Sequence, residues 1–397
     1  MVITFSQIDR ILPFILSESI KTKLRLNDTQ LGIVSGFAFA LCYALATLPL
    51  ARIADMGRAK QVLFWCVCIW SLMTGFGGFA NGFLLLALSR VGVALGGAGG
   101  TPASHALIGR RIPESFRGRA LGLFSMGIPV GTVLGFALGG WANDHIGWRG
   151  ALILAGGVGL VVALLAGVFV PKTPLAIVRK VTIHENFLQS SRRLLSDPNF
   201  LSLFIAANLL GFASGPFYAF TAAFLIRTHG LTPSQAGLSF VILQGLMDIA
   251  GTVLGGRLFD RAIKSGKNNL LRYPGIAFCV AAVSTPVALF APDSRIAVIL
   301  LVPAMFSFPF VLPHAFGAGH LSAGEGRQGL ASALLMLGSS LLGSSLSPVL
   351  VGVISDMARN ANIQNSLGTG LLLVPVFCLL TGISCFIAGR RVGSYSN

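Results

Sequence analysis

The sequence predicts an all-α membrane protein in which twelve transmembrane helices form two similar six-helix halves. Hydrophobic residues make up 54% of the 397 residues and charged residues only 11%. The mean hydropathy is +0.80, far above that of a soluble globular domain. Apolar segments long enough to cross ~30 Å of hydrocarbon as helices recur along the whole chain. Paired motifs at an offset of about half the chain indicate the two halves.

The apolar segments set the domain organisation. Six of them precede a polar link and six follow it, and the first is only just long enough to span a bilayer. They cover residues 2–20, 29–51, 62–80, 83–108, 120–142, 150–171, 199–226, 235–257, 273–291, 295–318, 329–354 and 368–388.

These segments predict an N-terminal half over residues 1–171, a cytosolic linker over 172–198 and a C-terminal half over 199–391. The linker carries Lys, Arg, Pro, Ser and Asn residues. We expect it to include an amphipathic helix on the inner membrane surface.

The distribution of Lys and Arg predicts the orientation. With the N-terminus in the cytosol, the inner loops and the C-terminus hold twenty of the 29 basic residues, and the outer loops hold seven. The positive-inside rule therefore places both termini in the cytosol. We expect a multi-pass protein of the cell inner membrane, and a monomer.

An internal repeat supports the division into halves. LARIADMGRAK follows helix 2 and GGRLFDRAIKSGK follows helix 8, so that Asp55 and Asp260 are 205 residues apart. RGRALGLFSMG opens helix 5 and RQGLASALLMLG opens helix 11, which separates Gly127 from Gly338 by 211 residues. Two offsets of similar length indicate duplication of a six-helix unit.

The turns after helices 2 and 8 are candidate conformational latches. Asp55, Gly57 and Arg58 lie in the first turn, and Asp260 and Arg261 lie in the second. Helices 11 and 5 both begin on the cytosolic side, where the positive end of each dipole would attract the aspartate of the opposite half. Contacts of ~0.3–2 kcal/mol that exist only in one state bias a two-state equilibrium. A solvated, positively charged loop without a latch function is the alternative.

Charges inside two apolar segments are the first candidates for a mechanism. Asp9 and Arg10 lie in helix 1 and Arg90 lies in helix 4, where a charge costs about 2.5–3.5 kcal/mol on insertion scales. Asp9 is roughly 13 Å from the cytosolic edge, near the midplane, and Arg90 is roughly 11 Å from the outer edge. We expect Asp9 to alternate between pairing with Arg90 and protonation. A static structural ion pair is the alternative.

Asp248 is a second candidate for an intramembrane carboxylate. It lies in helix 8, about 13 Å from the cytosolic end, within LQGLMDIAGTV. One interpretation is a proton-carrying carboxylate, and the other is a polar residue at a hydrated interface between the halves.

Several stretches carry a resemblance to a known family. LARIADMGRAK is similar to the helix 2–3 motif of the major facilitator superfamily, a family of alternating-access transporters. The chain further resembles the spinster branch, which is known for transport of lysolipids and sphingolipid phosphates. The stretches that carry the second resemblance are IDRILPFILSESIKTKLRLNDTQLGIVSGFAFALCYALATLPLARIAD, LSRVGVALGGAGGTPASHALI, GRALGLFSMGIPVGTVLGFALGGW and IRTHGLTPSQAGL.

The resemblance implies roles for individual residues. It assigns the position of Asp9 to proton coupling and that of Arg90 to coupling or cargo binding, in a cavity lined by helices 1, 4, 7 and 10. Gly97 stands where the family usually has a glutamate, and Met56 stands where it usually has an arginine. The chain also has only eight residues before Asp9, fewer than the resemblance suggests. A proton-carrying or cargo-binding carboxylate that the resemblance implies at the position of Gly97 is therefore missing.

Other function classes find little support in the sequence. The phosphate-binding pattern G-x-x-x-x-G-K-[ST] is absent, which argues against ATP as the driving force. The six cysteines lie in apolar segments, so we expect no metal site and no cofactor. His105, His314 and His320 are expected to be packing residues. The net charge of +16 lies in short loops, which argues against a nucleic-acid partner.

Three functional hypotheses remain. The first is a proton-coupled transporter of an amphiphilic or lysolipid-like anion or zwitterion, with protons and membrane lipids as its other partners. The second is a transporter of small organic anions or drugs with the same fold. The third is an intramembrane enzyme, although no nucleophile–base constellation is evident.

Overall fold

The computed structural model describes residues 1–170, 187–264, 270–324 and 327–393, and all regular secondary structure in these ranges is helical. The predicted all-α class is therefore confirmed. The α-helices are α1 Val2–Leu24, α2 Asp28–Gly32, α3 Ala38–Ile53, α4 Ala59–Gly77, α5 Phe83–Arg111, α6 Glu114–Ser125, α7 Gly127–Phe169, α8 Phe187–Ser196, α9 Pro198–His229, α10 Pro233–Phe240, α11 Met247–Lys264, α12 Arg272–Leu289, α13 Ser294–Ala323, α14 Gln328–Leu337, α15 Ser344–Asn360, α16 Ser366–Leu371 and α17 Leu373–Gly393.

Ten stretches of the described residues are long and apolar enough to cross a membrane. One of them, Leu123–Phe169, has 47 residues and contains Gly147 at φ 71°, a left-handed conformation that interrupts the helix. This stretch covers predicted helices 5 and 6. Helix α1, with 23 residues, is not among the ten, because Asp9, Arg10 and other polar residues lower its hydropathy.

The chain divides into two compact units. The first unit comprises Met1–Val181 and Gly230–Val241, and the second comprises Thr182–His229 and Ile242–Asn397. Helix α10 therefore belongs to the first unit, although it follows the predicted linker. The rings of Phe136 and Phe240 lie 4.5 Å apart within that unit.

Glycines of α7 hold α1 at close range in the first unit. Gly127, Gly131, Gly135 and Gly139 recur every four residues and face α1. A Cβ at Gly131 would overlap the carbonyl oxygen of Thr4, and one at Gly139 would lie 2.9 Å from side-chain atoms of Ile15 and Leu12. This close approach fixes α1, which carries Asp9 and Arg10.

Helices α4 and α5 pack by the same means. A Cβ at Gly96 would lie 2.5 Å from the backbone nitrogen of Trp70, so only glycine permits the observed approach. The Trp70 side chain is 1% exposed and packs in a core with Val67 and Val93. Arg90 of α5 is thereby held beside α1 and α4.

In the second unit, α9 packs closely against the serine-rich segment that precedes α15. A Cβ at Gly343 would lie 2.6 Å from the backbone oxygen of Asn208 and from the Cα of Gly211. The Ser347 hydroxyl donates a hydrogen bond to the Gly343 carbonyl at 2.8 Å. Small residues on both helices permit this close packing.

Candidate functional site

Asp9 and Arg90 are buried together in the first unit. Asp9 is 2% exposed and Arg90 is 5% exposed, and their charges interact. Neither carboxylate oxygen of Asp9 has a hydrogen-bond partner of normal geometry among the described residues, although the Trp70 side chain is near enough to act on the carboxylate, and Nε of Arg90 also has none. A buried carboxylate and guanidinium compensate each other only in part when no hydrogen bond joins them. The two charges therefore act on each other without a direct hydrogen bond between them, and the predicted alternation of Asp9 between pairing and protonation stays a prediction.

The ring of Phe39 lies beside two arginines. The Cζ atom of Arg10 is 5.6 Å from the ring centroid, and that of Arg90 is 5.4 Å away. Phe39 also stacks on Tyr43, one helical turn further along α3, with 5.7 Å between ring centroids. Arg10 is exposed while Arg90 is buried. These contacts create a positively charged aromatic surface.

Helix α4 contributes two more unpaired polar groups to this region. Trp70 and Thr74 are one turn apart, and both Nε1 of Trp70 and Oγ1 of Thr74 lack a hydrogen-bond partner among the described residues. Thr74, Ser89 and Arg90 line a cavity of about 10 Å³. This volume is about that needed for one water molecule, and the wall offers polar partners for it.

Gly97 lies two helical turns after Arg90, on the same side of α5. A Cβ at this position would lie 3.6 Å from Cε2 of Tyr43, which is an ordinary van der Waals contact. The backbone therefore leaves room for a side chain at the position where the resemblance expects a glutamate. The stacked rings of Phe39 and Tyr43 lie beside the space that a side chain at position 97 would fill.

Asp248 belongs to a different environment, in the second unit. It is half-buried in the first turn of α11, and its charge acts on the hydroxyl of Tyr218. Gln244, one turn earlier, is 6% exposed, and its Oε1 has no hydrogen-bond partner among the described residues. Asp248 and Gln244 thus lie one helical turn apart in the second unit, and the proton-carrying role predicted for Asp248 stays a prediction.

The latch residues lie at helix ends. Gly57 has φ 89°, a left-handed conformation that favours glycine, and it turns the chain between α3 and α4. Arg58 is exposed, and Asp260 and Arg261 are exposed near the end of α11. The side chain of Asp55 lies outside the described residues. The predicted latch remains a prediction.

The histidines have packing partners, as expected. His314 is fully buried, and its Nδ1 lies 3.2 Å from the Phe310 carbonyl oxygen. Nε2 of His320 lies 2.7 Å from the Ser332 hydroxyl, and the His105 ring contacts Phe124. In the part of the chain that the structure describes, no group of three or more His, Cys, Asp and Glu residues could hold a metal ion.

The structure brings together Asp9, Arg10 and Arg90, which the sequence singled out. It adds Phe39, Tyr43, Trp70 and Thr74, which the sequence argument missed. A signal was present, because each pair is spaced four residues apart on one helix, which places both members on one face. Such spacing is also typical of core residues, so it does not distinguish a site from packing.

Comparisons with known proteins agree with this architecture. The model of the Major Facilitator Superfamily matches residues 1–348. An "MFS-type efflux pump" of Mycolicibacterium smegmatis is 30% identical over 391 residues, which cover 96% of this chain and 89% of the pump. "Protein spinster homolog 1" of Homo sapiens is 26% identical over 368 residues, which cover 84% of this chain and 67% of that protein.

A solved structure is also similar over the whole length. It is the crystal structure of a bacterial homolog of the human lysosomal transporter Spinster in an inward-facing, unoccupied conformation. The TM-score is 0.89 at 25% sequence identity, and the match covers 100% of this chain and 96% of that one.

Proposed function

The chain belongs to the major facilitator superfamily and is a spinster-like membrane transporter, not an enzyme, and we propose that it moves an amphiphilic anion by proton-coupled alternating access. The observation that carries this proposal is that Asp9 and Arg90 are both buried and no hydrogen bond joins them. Separation of a pair that no hydrogen bond joins costs less than separation of a hydrogen-bonded pair, so its members exchange partners more readily.

Asp9 is the proposed proton carrier. An ionised carboxylate in an apolar interior needs a compensating positive charge, and Arg90 supplies it. When a substrate anion occupies Arg90, Asp9 loses part of this compensation and favours the protonated form. The charge of Asp9 thereby becomes linked to occupancy of the site, which is the requirement for coupling.

The aromatic surface beside the arginines supports an amphiphilic substrate. Arg10 is exposed and stands over Phe39, and Phe39 stacks on Tyr43. A guanidinium group next to stacked rings offers one contact to an anionic head group and another to an apolar part. We therefore favour a lysolipid-like anion or zwitterion over a fully polar solute.

Small organic anions or drugs are the second candidate class. The same arginines bind a carboxylate without any need for an apolar tail. One relative, from Mycolicibacterium smegmatis, is described as an efflux pump. The two classes differ in whether the rings of Phe39 and Tyr43 contribute to binding.

Asp248 is proposed as an additional proton site in the second unit, where its charge acts on the hydroxyl of Tyr218. Asp55 and Asp260, with their neighbouring basic residues, are proposed as latches that stabilise the cytosolically closed state through helix dipoles.

The bias of Lys and Arg residues supports cytosolic termini and an inner-membrane location.

A thermal-shift screen of the purified protein tests the substrate class. The panel contains lysophospholipids, sphingoid phosphates, sugar acids and aromatic acids. Ligands that bind only the native state raise its stability by mass action, by ~2.7 kcal/mol at a hundredfold excess over Kd. We expect shifts with the lysolipids and sphingoid phosphates that disappear in Arg90→Ala. Shifts with sugar or aromatic acids alone would contradict the amphiphile proposal and support the second class.

A further inference from the structure

A groove opens on the exposed side of α3, α4 and α5, away from the buried charges. Its volume is about 510 Å³, and its walls include Pro49, Gln61, Trp65, Ile69 and Leu95. All of its lining residues belong to the first unit. The volume falls within the range of ordinary ligand pockets.

The groove runs along α4 and changes in polarity. The exposed face of α4 carries three lining residues at four-residue spacing, namely Gln61, Trp65 and Ile69. They span about 12 Å at 1.5 Å per residue, which is close to the ~15 Å depth of one hydrocarbon leaflet. Arg58 lines the end where α4 begins, and the wall is apolar from Trp65 onward.

No part of the described protein covers the groove, as the exposed fractions of its apolar side chains show. Trp65 is 62% exposed, Ile69 is 42% exposed and Leu95 is 44% exposed. The same face of α4 continues with Leu72 and Phe76, which are also exposed and apolar. In a membrane-spanning helix such a face contacts the acyl chains of lipids.

We propose that this groove binds one anionic phospholipid of the membrane leaflet on the side of Arg58. The phosphate group pairs with the Arg58 guanidinium and accepts a hydrogen bond from the Gln61 amide. One acyl chain lies along Trp65, Ile69 and Leu95. The charge of Arg58 and the depth of the groove select this occupant, because an arginine at the membrane surface attracts anionic head groups.

The floor of the groove is rigid, so binding needs little reorganisation. Cys66 and Val62 form part of the lining, and both are buried against α5. A Cβ at Gly99 of α5 would lie 2.5 Å from Sγ of Cys66 and 3.0 Å from Val62. A preformed site of this kind loses little conformational entropy on binding. The proposal is independent of the transported substrate, because neither Asp9 nor Arg90 lines the groove.

Tryptophan quenching tests this proposal with the full chain in phosphatidylcholine nanodiscs. The probe is phosphatidylglycerol with brominated acyl chains, compared with brominated phosphatidylcholine at the same mole fraction. Trp65 and Trp141 are the two exposed tryptophans, at 62% and 52%. We expect stronger quenching by phosphatidylglycerol, and we expect this excess to disappear in Trp65→Phe and to persist in Trp141→Phe.

The arginine variants identify the head-group contact. Arg58→Gln is expected to lower the preference for phosphatidylglycerol about fivefold, the equivalent of about 1 kcal/mol for one basic residue at the surface. Arg52→Gln is the matched control, because Arg52 is exposed at the end of α3 but does not line the groove. Ala46→Leu narrows the groove without touching Arg58 and is expected to weaken quenching as well.

Three results would overturn the proposal. The first is equal quenching by the two brominated lipids, and the second is an equal loss of preference in Arg52→Gln and Arg58→Gln. The third is loss of the preference in Arg90→Ala, because the bound lipid would then be the transported substrate. Size-exclusion chromatography of each variant confirms that it is folded before quenching is measured.

Discussion

Asp9 and Arg90 interact electrostatically inside the first unit, and yet the carboxylate oxygens of Asp9 have no hydrogen-bond partner of normal geometry among the described residues. An ion pair that forms in one state and opens in another biases alternating access. A buried pair that no hydrogen bond joins suits this role, because its partners can be exchanged without loss of a specific bond geometry.

The compensation between these charges predicts a stability pattern. Arg90→Ala is expected to abolish transport and to destabilise the protein by up to about 3–5 kcal/mol at high pH, where Asp9 is ionised without a counter-charge, and by less at low pH, where Asp9 is protonated. Asp9→Asn in the same chain is expected to restore most of the stability but not transport. Denaturation of the two variants in detergent measures this. A double variant no more stable than Arg90→Ala would contradict the electrostatic link.

Phe39 is expected to contribute to substrate binding through its contacts with Arg10 and Arg90. Loss of the cation–π contact in Phe39→Leu is expected to cost about 0.5–2 kcal/mol, or roughly two- to thirtyfold in affinity for an amphiphilic ligand. Phe39→Tyr keeps the ring and serves as the control. The melting-temperature shift with a lysophospholipid measures the effect, and equal affinities of the two variants would rule out this role for the ring.

Thr74 is expected to position Arg90 through a water molecule in the shared cavity. Thr74→Val keeps the side-chain shape and removes the hydroxyl, so Nε of Arg90 loses this indirect partner. We expect a transport rate at least about tenfold lower with unchanged expression, and recovery in Thr74→Ser. Ser71→Ala is the control, because Ser71 is buried on the same helix but does not line the cavity. Normal transport by Thr74→Val would remove Thr74 from the site.

The glycine contacts of α7 predict a difference between two similar substitutions. Gly131→Ala is expected to destabilise the protein, because the new Cβ overlaps the backbone of α1. At Gly157 a Cβ would meet no atom within 4 Å, so Gly157→Ala is expected to be neutral or to stabilise by about 0.5–1 kcal/mol. Thermal denaturation of both variants checks this, and equal effects would contradict the proposed contact between α1 and α7.

The sequence predicted the fold class well because the controlling signals are local. Length and hydropathy define membrane helices. Glycines at four-residue spacing, such as Gly131 and Gly135, indicate close helix packing. The charges of Asp9 and Arg90 were identifiable because a bilayer penalises them wherever they occur.

Other parts of the site depend on contacts between distant segments. Phe39 meets Arg10 and Arg90 only when α1, α3 and α5 are packed, and no periodic pattern reports such a contact. The assignment of α10 to the first unit is similar, because it follows from contacts such as that between Phe136 and Phe240. The groove at Arg58 likewise arises from three helices together.

Proton coupling through Asp9 is tested by a measurement of proton flux. The wild-type protein and Asp9→Asn are reconstituted in liposomes that contain a pH-sensitive dye, and the lysophospholipid with the largest thermal shift is added under a pH gradient. We predict substrate-dependent proton movement in the wild type and none in Asp9→Asn, which should still bind the lipid. Equal proton movement in both proteins would show that Asp9 does not carry the coupled proton.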